Sequence, residues 1–266
     1  MDRAAGAQLS EISISLVALN QRRDLEQLLP TLMPAARRVA SEILLVDNRS
    51  DDGTAEFVRT AWPSIQLIFN PAVAGYGANH NLNLRRAVGR YFVAMNSDMT
   101  VEDNAFVVLK EYMDTHPDVG IVTPRIVNED GTIQGLNKRY PALWDLFLRR
   151  FLPAFAQRLF RGRMERYEMR DVGYDREYDV PFVSGAFMFC RSDVMKDLGG
   201  FDQRYFLYFE DADLCQRVQQ THRTTYCPDV TVTHCWQRGA HTSLAGTREF
   251  IRSGYLYFQR WGWRLF

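Results

Sequence analysis

Short hydrophobic runs recur along the first hundred positions, and each of them ends in polar residues. The runs at 12–19, 42–46, 65–69 and 91–95 are typical of strands that are buried on both faces. Segments 24–40 and 54–61 predict helices, although Pro30 and Pro34 are expected to break the first one. A turn rich in glycine and asparagine at 75–83 leads into a third helix through residue 88. Strands that alternate with helices predict an α/β fold with a mainly parallel central sheet and helices on both faces.

The second half of the chain is less regular but continues the pattern. It predicts helices at 104–115 and 211–220, strands at 119–124 and 224–234, and a strand at 180–190 that Gly185 interrupts. A hairpin-type turn is expected at Asn128-Glu129-Asp130-Gly131. Segments 146–170 and 249–266 mix arginines with aromatic residues. We therefore predict one domain over residues 10–238 and a C-terminal helical appendage, rich in aromatic residues and arginine, over 239–266.

Polar clusters follow three of the predicted strands, at Asn20, at 47–53 and at 96–98. Ligands of parallel sheets bind at the carboxyl ends of the strands, so this edge is the expected site. The turn after the first strand has no G-x-G-x-x-G and the chain has no P-loop motif, which disfavours dinucleotide binding and P-loop chemistry. A bound nucleotide would then need another counter-charge, such as a divalent cation held by carboxylates.

Composition narrows the class of protein. The 266 residues include 32 basic and 32 acidic side chains, and a net charge of zero argues against a protein that coats nucleic acid. The sequence has neither an apolar stretch of ~18 residues nor an N-terminal signal core, so neither a membrane span nor secretion is expected. The four cysteines form no C-x-x-C pair, and reduced thiols in a cytoplasmic protein are the expected state.

Five residues carry the candidate chemistry, three of them at strand ends and two at the start of a predicted helix. Asp98 and His234 are potential ligands of one divalent cation, although an aspartate also initiates turns and a lone histidine is often structural. Asp47 could accept a hydrogen bond from a base or ribose, or cap the next helix. Glu210 and Asp211 follow an aromatic run that would raise a carboxylate pKa, as a general base requires. Acids at a helix start also favour its dipole, so capping is the alternative there.

Several longer motifs together resemble family-2 glycosyltransferases with the GT-A fold. The stretch 46–54 is similar to the family signature V-D-N-x-S-x-D-G-[ST], and Asn96-Ser97-Asp98 is similar to its D-x-D element in the N-x-D form. Residues 70–81, 183–186, 199–202 and 205–215 resemble its N-P…G-[FY]-[AG], G-A, G-G-F-D and E-D-x-D-L-C blocks. The pattern is nearest to the rhamnosyltransferase-like branch of bacterial polysaccharide assembly.

The resemblance implies an inverting, metal-dependent transfer of a sugar from a nucleotide-diphosphate donor. It makes Asp211 the base, with Glu210 as the alternative, and it makes Asp98 and His234 ligands of Mg²⁺ or Mn²⁺. The donor-binding positions that it implies are Ala18, Asn20, Asp47, Asn48, Ser50, Gly75, Tyr76, Asn81, Asn96, Ser97, Gly185 and Ala186. At position 18 alanine stands where the family usually has serine or threonine, so a side-chain hydroxyl is missing there.

The partners implied are a nucleotide-diphosphate sugar, with dTDP-rhamnose favoured over a UDP-sugar, and a glycan or lipid-linked acceptor of cell-surface polysaccharide such as O-antigen. No nucleic-acid partner is expected, and the expected location is the cytoplasm. The segments rich in arginine and aromatic residues leave two interpretations open, which are peripheral contact with the inner face of the membrane and ordinary core packing. Residues 237–243 loosely match a family stretch that would act as a lid over the diphosphate.

Two other functions fit parts of this pattern. A glycan- or nucleotide-binding homologue without catalysis is disfavoured by the intact acidic pair Glu210-Asp211 and by Asp98. A sugar nucleotidyltransferase is disfavoured because the first turn is not glycine-rich and basic.

Overall fold

A computed structural model describes residues 10–151, 158–235 and 244–266. The strands of this part of the chain are β1 (Ile12–Ala18), β2 (Ser41–Asp47), β3 (Gln66–Phe69), β4 (Tyr91–Met95), β5 (Met99–Val101), β6 (Val119–Val127), β7 (Tyr178–Asp179), β8 (Phe187–Arg191) and β9 (Arg223–His234). The helices are α1 (Arg22–Arg37), α2 (Thr54–Ala61), α3 (Tyr76–Leu84), α4 (Ala105–Thr115), α5 (Leu143–Phe151), α6 (Arg161–Tyr167), α7 (Ser192–Asp197), α8 (Glu210–Val218) and α9 (Leu244–Trp261). The predicted lid at 237–243 lies outside the described residues.

All of these strands belong to one mixed sheet in the order β3-β2-β1-β4-β8-β6-β9-β5, with β7 also paired to β9. Strands β1 to β4 pair in parallel with one another, as predicted. Strand β8 runs antiparallel to β4 and β6, while β6 and β9 are parallel. The carboxyl end of β4 therefore meets the amino end of β8, and the loop that precedes β8 joins the same edge as the loops after β1, β2 and β4.

Helix α1 is continuous, so the expected break at Pro30 and Pro34 was wrong. Both prolines lie on the exposed side of the helix, where water can bond the carbonyls that a missing N–H leaves free. The opposite side carries Leu25, Leu28, Leu29 and Leu32, which are fully buried against the sheet. Burial of that apolar face holds the helix together despite the two lost hydrogen bonds.

The predicted strand at 180–190 is a strand only from Phe187 onward. Directly before Phe187, at Gly185 and Ala186, the backbone makes contacts with the candidate site. The N–H of Gly185 donates to a carboxylate oxygen of Asp211, and the carbonyl of Ala186 accepts from the N–H of Asn96 (2.9 and 3.0 Å). Two short strands that the sequence pattern did not predict, β5 and β7, both pair with β9.

Helix α9 packs against α8 through a buried polar cluster. The fully buried Asp213 of α8 pairs with Arg217 of the same helix (2.7 Å). Its other oxygen accepts hydrogen bonds from Arg260 and from the indole N–H of Trp261 of α9 (3.0 and 2.9 Å). Part of the predicted appendage is thus fixed to the described domain, while the proposed boundary at 238/239 lies outside the described residues. None of the helices within 10–151, 158–235 and 244–266 is long and apolar enough to cross a bilayer.

Candidate active site

Hydrogen bonds between side chain and backbone join the loops after β1 and β2. The N–H of Asn20 donates to Ser50 Oγ (3.0 Å), and Asn20 Oδ1 accepts from the N–H of Asp51 (2.8 Å). Buried Asp47 accepts from the N–H of Ser50 through Oδ1 (2.7 Å), while Asp52 bonds the N–H of Thr54 at the start of α2 (3.0 Å). Asp47 therefore shapes its own loop and does not cap the helix. Its role in donor binding stays a prediction.

Asn48 and Gly75 hold the next loop of the predicted donor site. Asn48 bonds both backbone groups of Ala74, accepting from the N–H and donating to the carbonyl (2.9 and 3.0 Å). A Cβ at Gly75 would lie 2.4 Å from the carbonyl oxygen of Phe206, so only glycine allows this approach. The N–H of Tyr76 bonds that same oxygen (2.9 Å). The segment at 74–76 is thereby tied to β2 on one side and to the loop before α8 on the other.

Like Asn48, three other predicted donor-binding positions have side chains that make contacts within the fold. Ala18 is fully buried in the core, and its carbonyl accepts from the N–H of Asn48 (2.8 Å). Asn81 bonds both the N–H and the carbonyl of Phe201 (2.9 and 2.7 Å). Buried Ser97 lies 3.4 Å from the carbonyl of Val17. Their contribution to a donor site would be to position loops.

The predicted metal ligands come together at the ends of β4 and β9. Asp98 Oδ1 lies 3.2 Å from His234 Nε2, and Asn96 Nδ2 lies 3.4 Å from the same nitrogen. Gln134 Nε2 donates to Asn128 and to the carbonyl of His234, so its Oε1 accepts from His234 Nδ1 (2.8 Å). This bond needs the proton on Nδ1, and in the neutral imidazole with that proton Nε2 presents a lone pair towards the carboxylate. Such an outer hydrogen bond is typical of metal-bound histidines.

The donor set at this point fits a divalent cation. Asp98 Oδ1 is buried without a hydrogen-bond partner among the described residues, and it faces a second electron-pair donor, His234 Nε2. A cation between the two would satisfy both. No set of three His, Cys, Asp or Glu side chains within the described ranges could hold a metal by itself. Mg²⁺ in proteins usually completes its coordination with water and substrate phosphates.

A second acidic pair starts α8. Asp211 accepts hydrogen bonds from the N–H groups of Gly185 and Ala212 (both 2.9 Å). Burial raises the pKa of Asp211 despite these bonds. Burial, and then the charge of Asp211, raise the pKa of Glu210 well above its usual range. Glu210 Oε2 has no hydrogen-bond partner in the described part of the chain. Two carboxyls in such surroundings retain protons more readily than exposed ones, which suits general-base chemistry.

The backbone before this pair is strained. Tyr208 and Phe209 both have positive φ values, 69° and 66°, and neither is glycine. Each such conformation costs of order 1–3 kcal/mol and persists only when surrounding contacts enforce it. The turn at these two residues leads into α8, which begins at Glu210. Asp211 then reaches the loop at Gly185, while Asp213 points to the buried cluster with Arg217. The sequence prediction that Asp211 and Asp213 diverge is confirmed.

One buried hydroxyl connects the donor-side and base-side groups. Tyr76 Oη donates to the carbonyl of Gly185 (2.5 Å), whose N–H holds Asp211. Burial raises the pKa of Tyr76 well above its usual range, and the negative charges of Glu210, Asp211 and Asp98 raise it further. Asp98, one of the predicted metal ligands, and the acidic pair Glu210-Asp211 therefore both act on the Tyr76 hydroxyl.

Sequence reasoning missed two residues of the candidate site. Burial, and then the charge of Arg149, lower the pKa of Lys138 to about 7, while Asp211 acts in the opposite direction. Lys138 also pairs its backbone with Phe182, near Gly185, and its ammonium lies 5.1 Å from the ring of Phe182. Lysine is rare in this sequence, since only three of the 32 basic residues are lysines, and this rarity could have drawn attention to Lys138. Gln134, which orients His234, left no signal in the sequence pattern.

The mixed sheet with these loops at the carboxyl edge of β1, β2 and β4 is the GT-A fold of glycosyltransferases. The glycosyltransferase-like family 2 matches residues 12–249, and the chain belongs to this family of sugar-transferring enzymes. An N-acetylglucosaminyl-diphospho-decaprenol L-rhamnosyltransferase of Mycobacterium tuberculosis is 28% identical over 225 residues, which cover 79% of this chain and 71% of the relative. A pre-mycofactocin glycosyltransferase of the same species is 28% identical over 193 residues, 69% of this chain and 36% of the relative.

Solved structures share the fold at low sequence identity. A mannosyltransferase of Pyrobaculum calidifontis, in complex with GDP-Man and Mn²⁺, matches with a TM-score of 0.60 at 18% identity over 87% of this chain and 58% of that one. GalNAc-T7 with UDP, GalNAc and Mn²⁺ matches with a TM-score of 0.65 at 15% identity over 93% of this chain and 48% of that one. S. aureus TarS with UDP-GlcNAc matches with a TM-score of 0.61 at 16% identity, over 93% and 65%. The chain thus spans about half to two thirds of these structures.

Proposed function

We propose that the chain transfers a sugar, with inversion, from a nucleotide-diphosphate donor to a lipid-linked acceptor. The observation that carries the proposal is the pairing of Asp98 Oδ1 with His234 Nε2 (3.2 Å), where Asp98 and Asp211 both act on the Tyr76 hydroxyl. Asp98 and His234 fit a cation on the donor diphosphate, and Asp211 fits a base for the acceptor. L-rhamnose from dTDP-rhamnose is our favoured donor, supported by the name of the mycobacterial relative, and a UDP-sugar is the alternative.

In this mechanism Asp211 takes the proton of the acceptor hydroxyl while the hydroxyl oxygen attacks the anomeric carbon. The bond from that carbon to the diphosphate breaks at the same time, so one displacement inverts the configuration. Gly185 and Ala212 keep the carboxylate oriented through their N–H groups. Asp98 and His234 would hold Mg²⁺ or Mn²⁺, which stabilises the charge that develops on the leaving diphosphate. Asp47 and Asn48, at the end of β2, would form the wall for the nucleoside.

The acceptor side rests on a different argument. The mycobacterial relative is named for a diphospho-decaprenol acceptor that carries N-acetylglucosamine. We propose an acceptor of the same chemical class, a sugar linked through diphosphate to a polyprenol, reached at the cytoplasmic face of a membrane.

The test is a matrix of donors and metals with purified protein. dTDP-rhamnose, UDP-GlcNAc and GDP-mannose are each combined with N-acetylglucosaminyl-diphospho-polyprenol in Mg²⁺, Mn²⁺ or EDTA. We expect release of nucleoside diphosphate with one donor, loss of turnover in EDTA, and an inverted anomeric configuration in the product by NMR. Retention of configuration, or full turnover in EDTA, would contradict the mechanism. Release of pyrophosphate from a nucleoside triphosphate would indicate a nucleotidyltransferase instead.

A further inference from the structure

An apolar groove lies between α5, α9 and the last residues of the chain. Its cavity measures about 550 Å³, and its walls include Trp144, Phe147, Ile251 and Tyr255. The backbone N–H groups of Leu143 and Trp144 bond the carbonyls of Arg264 and Leu265 (2.9 and 3.2 Å), which fixes residues 263–266 as the third wall. Several lining side chains are more than half exposed, including Ile251 at 58% and Phe266 at 82%. Exposed apolar residues gathered in this way usually mark a binding surface.

The inner end of the groove reaches the proposed base. Phe209 lines the groove and is the residue that precedes Glu210-Asp211 at the start of α8. Its ring packs on Phe250 and Tyr257 of α9 at 5.3 and 5.4 Å between centroids. An apolar ligand in the groove would therefore have one end beside the first turn of α8, on which Asp211 lies.

A cation lies beside the groove, near the segment that precedes the acidic pair. The guanidinium of Arg150 lies 5.5 Å from the ring of Phe250 and donates to Thr247 (2.8 Å). Its positive charge also acts on Tyr208, two residues before Glu210. Among the described residues, no carboxylate lies within 4.0 Å of Arg150, so its charge has no ion-pair partner there. Arginine is well suited to bind phosphate oxygens.

We propose that the groove binds the first isoprene units of a polyprenyl diphosphate acceptor, with the diphosphate at Arg150 and the sugar at Asp211. This rests on the proposed function, and it adds the binding site for the hydrocarbon. The combination of parts supports it, since an apolar groove, a cation and a carboxylate meet around the start of α8, and such a lipid has a hydrocarbon chain, a diphosphate and a sugar. A cavity of about 550 Å³ lies within the range of small-ligand pockets, about 300–1,000 Å³, whereas a bilayer surface would need no concave groove.

The test measures binding separately from catalysis. Farnesyl diphosphate and inorganic diphosphate are titrated by calorimetry into the wild-type chain, Ile251→Asn, Gly254→Leu and the control Val88→Asn. Ile251 and Val88 are similarly exposed (58% and 62%), but only Ile251 lines the groove. A side chain at Gly254 would enter the groove next to Phe209, whose ring lies 3.4 Å from the added Cβ. Circular dichroism and melting curves confirm that each variant is folded.

We expect farnesyl diphosphate to bind the wild-type chain and Val88→Asn at least tenfold more tightly than Ile251→Asn and Gly254→Leu. Each methylene that the groove buries contributes about fourfold to the dissociation constant. Inorganic diphosphate should bind all four proteins alike, and Arg150→Gln should weaken both ligands. Equal binding of farnesyl diphosphate and diphosphate to the wild type, or equal effects of Ile251→Asn and Val88→Asn, would overturn the proposal.

Other occupants of the groove give different results. If the chain binds lipid vesicles but not farnesyl diphosphate, the groove is a bilayer contact. If light scattering shows a dimer that Ile251→Asn dissociates, it is a subunit interface. Either result overturns the proposal. Farnesyl diphosphate binding without any sugar transfer would leave the groove intact and refute the proposed function instead.

Discussion

Replacing Asp211 by asparagine tests the assignment of the base most directly. The carboxylate accepts two backbone hydrogen bonds, from Gly185 and Ala212, at 2.9 Å each. Asparagine can keep one of them through its oxygen, but its NH₂ group then faces the other N–H donor. Leaving one buried donor unsatisfied costs about 1–3 kcal/mol. Folding of a domain is worth about 5–15 kcal/mol, so Asp211→Asn should remain folded.

The effect on catalysis should be much larger. General-base assistance is worth about 10²–10⁴ in rate, which corresponds to about 3–5 kcal/mol of the barrier. We expect kcat to fall by that factor in Asp211→Asn, while nucleoside diphosphate still binds with an unchanged Kd in the presence of Mn²⁺. The assay is the initial rate of nucleoside diphosphate release with the donor that the wild type uses, together with calorimetry and urea denaturation.

Asp213→Asn is the matched control, because Asp213 lies two residues further along α8. Its carboxylate bonds Arg217, Arg260 and Trp261 and points away from the site. Removing one partner of a buried ion pair costs about 3–5 kcal/mol, so stability should fall while kcat of the folded fraction is retained. If Asp211→Asn keeps kcat within threefold of the wild type, or if both variants lose kcat equally, the base assignment is refuted.

Three further predictions concern the groups around this base. Burial raises the pKa of Glu210 above its ordinary value of 4.5, so the folded state binds more protons than the unfolded state, and stability falls as pH rises above that value. Glu210→Gln should therefore be more stable than the wild type at pH 7 and lose this advantage below about pH 4.5, and urea denaturation that shows no pH-dependent difference would contradict this. The charge of Lys138 lowers the pKa of Asp211, so Lys138→Met should move the acidic limb of the kcat profile to higher pH, and a limb that stays in place would exclude the coupling. Gln134→Leu removes the hydrogen bond that orients His234 and should raise the Mn²⁺ concentration for half-maximal activity about 10–100-fold, whereas an unchanged metal requirement would count against His234 as a ligand.

The regular part of the fold could be predicted because its signal is local. Strands β1, β2 and β4 are rich in apolar residues, and helix α2 begins and ends at the predicted residues. The prolines of α1 misled the prediction because a sequence does not state which side of a helix faces water. Strand β8 was predicted too long because the backbone before Phe187 bonds to Asp211 and Asn96, which are distant in sequence.

In the candidate site, too, local motifs could be predicted and contacts between distant residues could not. The acidic motifs predicted which residues lie at the edge of the sheet, and Asp98 and His234 do lie side by side. The positions of Lys138 and Gln134 could not be predicted, because each depends on a contact with a residue distant in sequence. Lys138 pairs with Phe182, and Gln134 bonds His234. The amides of Asn48 and Asn81 bond the backbone of Ala74 and Phe201, and the role of both residues in donor binding stays a prediction.

The buried cluster at Asp213 has a consequence for the order in which a newly made chain becomes active. Arg217 follows Asp213 within one helical turn, but Arg260 and Trp261 come 47 and 48 residues after it. On the ribosome, α8 could therefore form early, yet one oxygen of its central carboxylate would lack partners until translation has passed residue 261. The strands that carry Asp47 and Asp98 need no such late segment. A growing chain would thus form the loops of Asp47 and Asp98 first and complete the surroundings of Asp211 last.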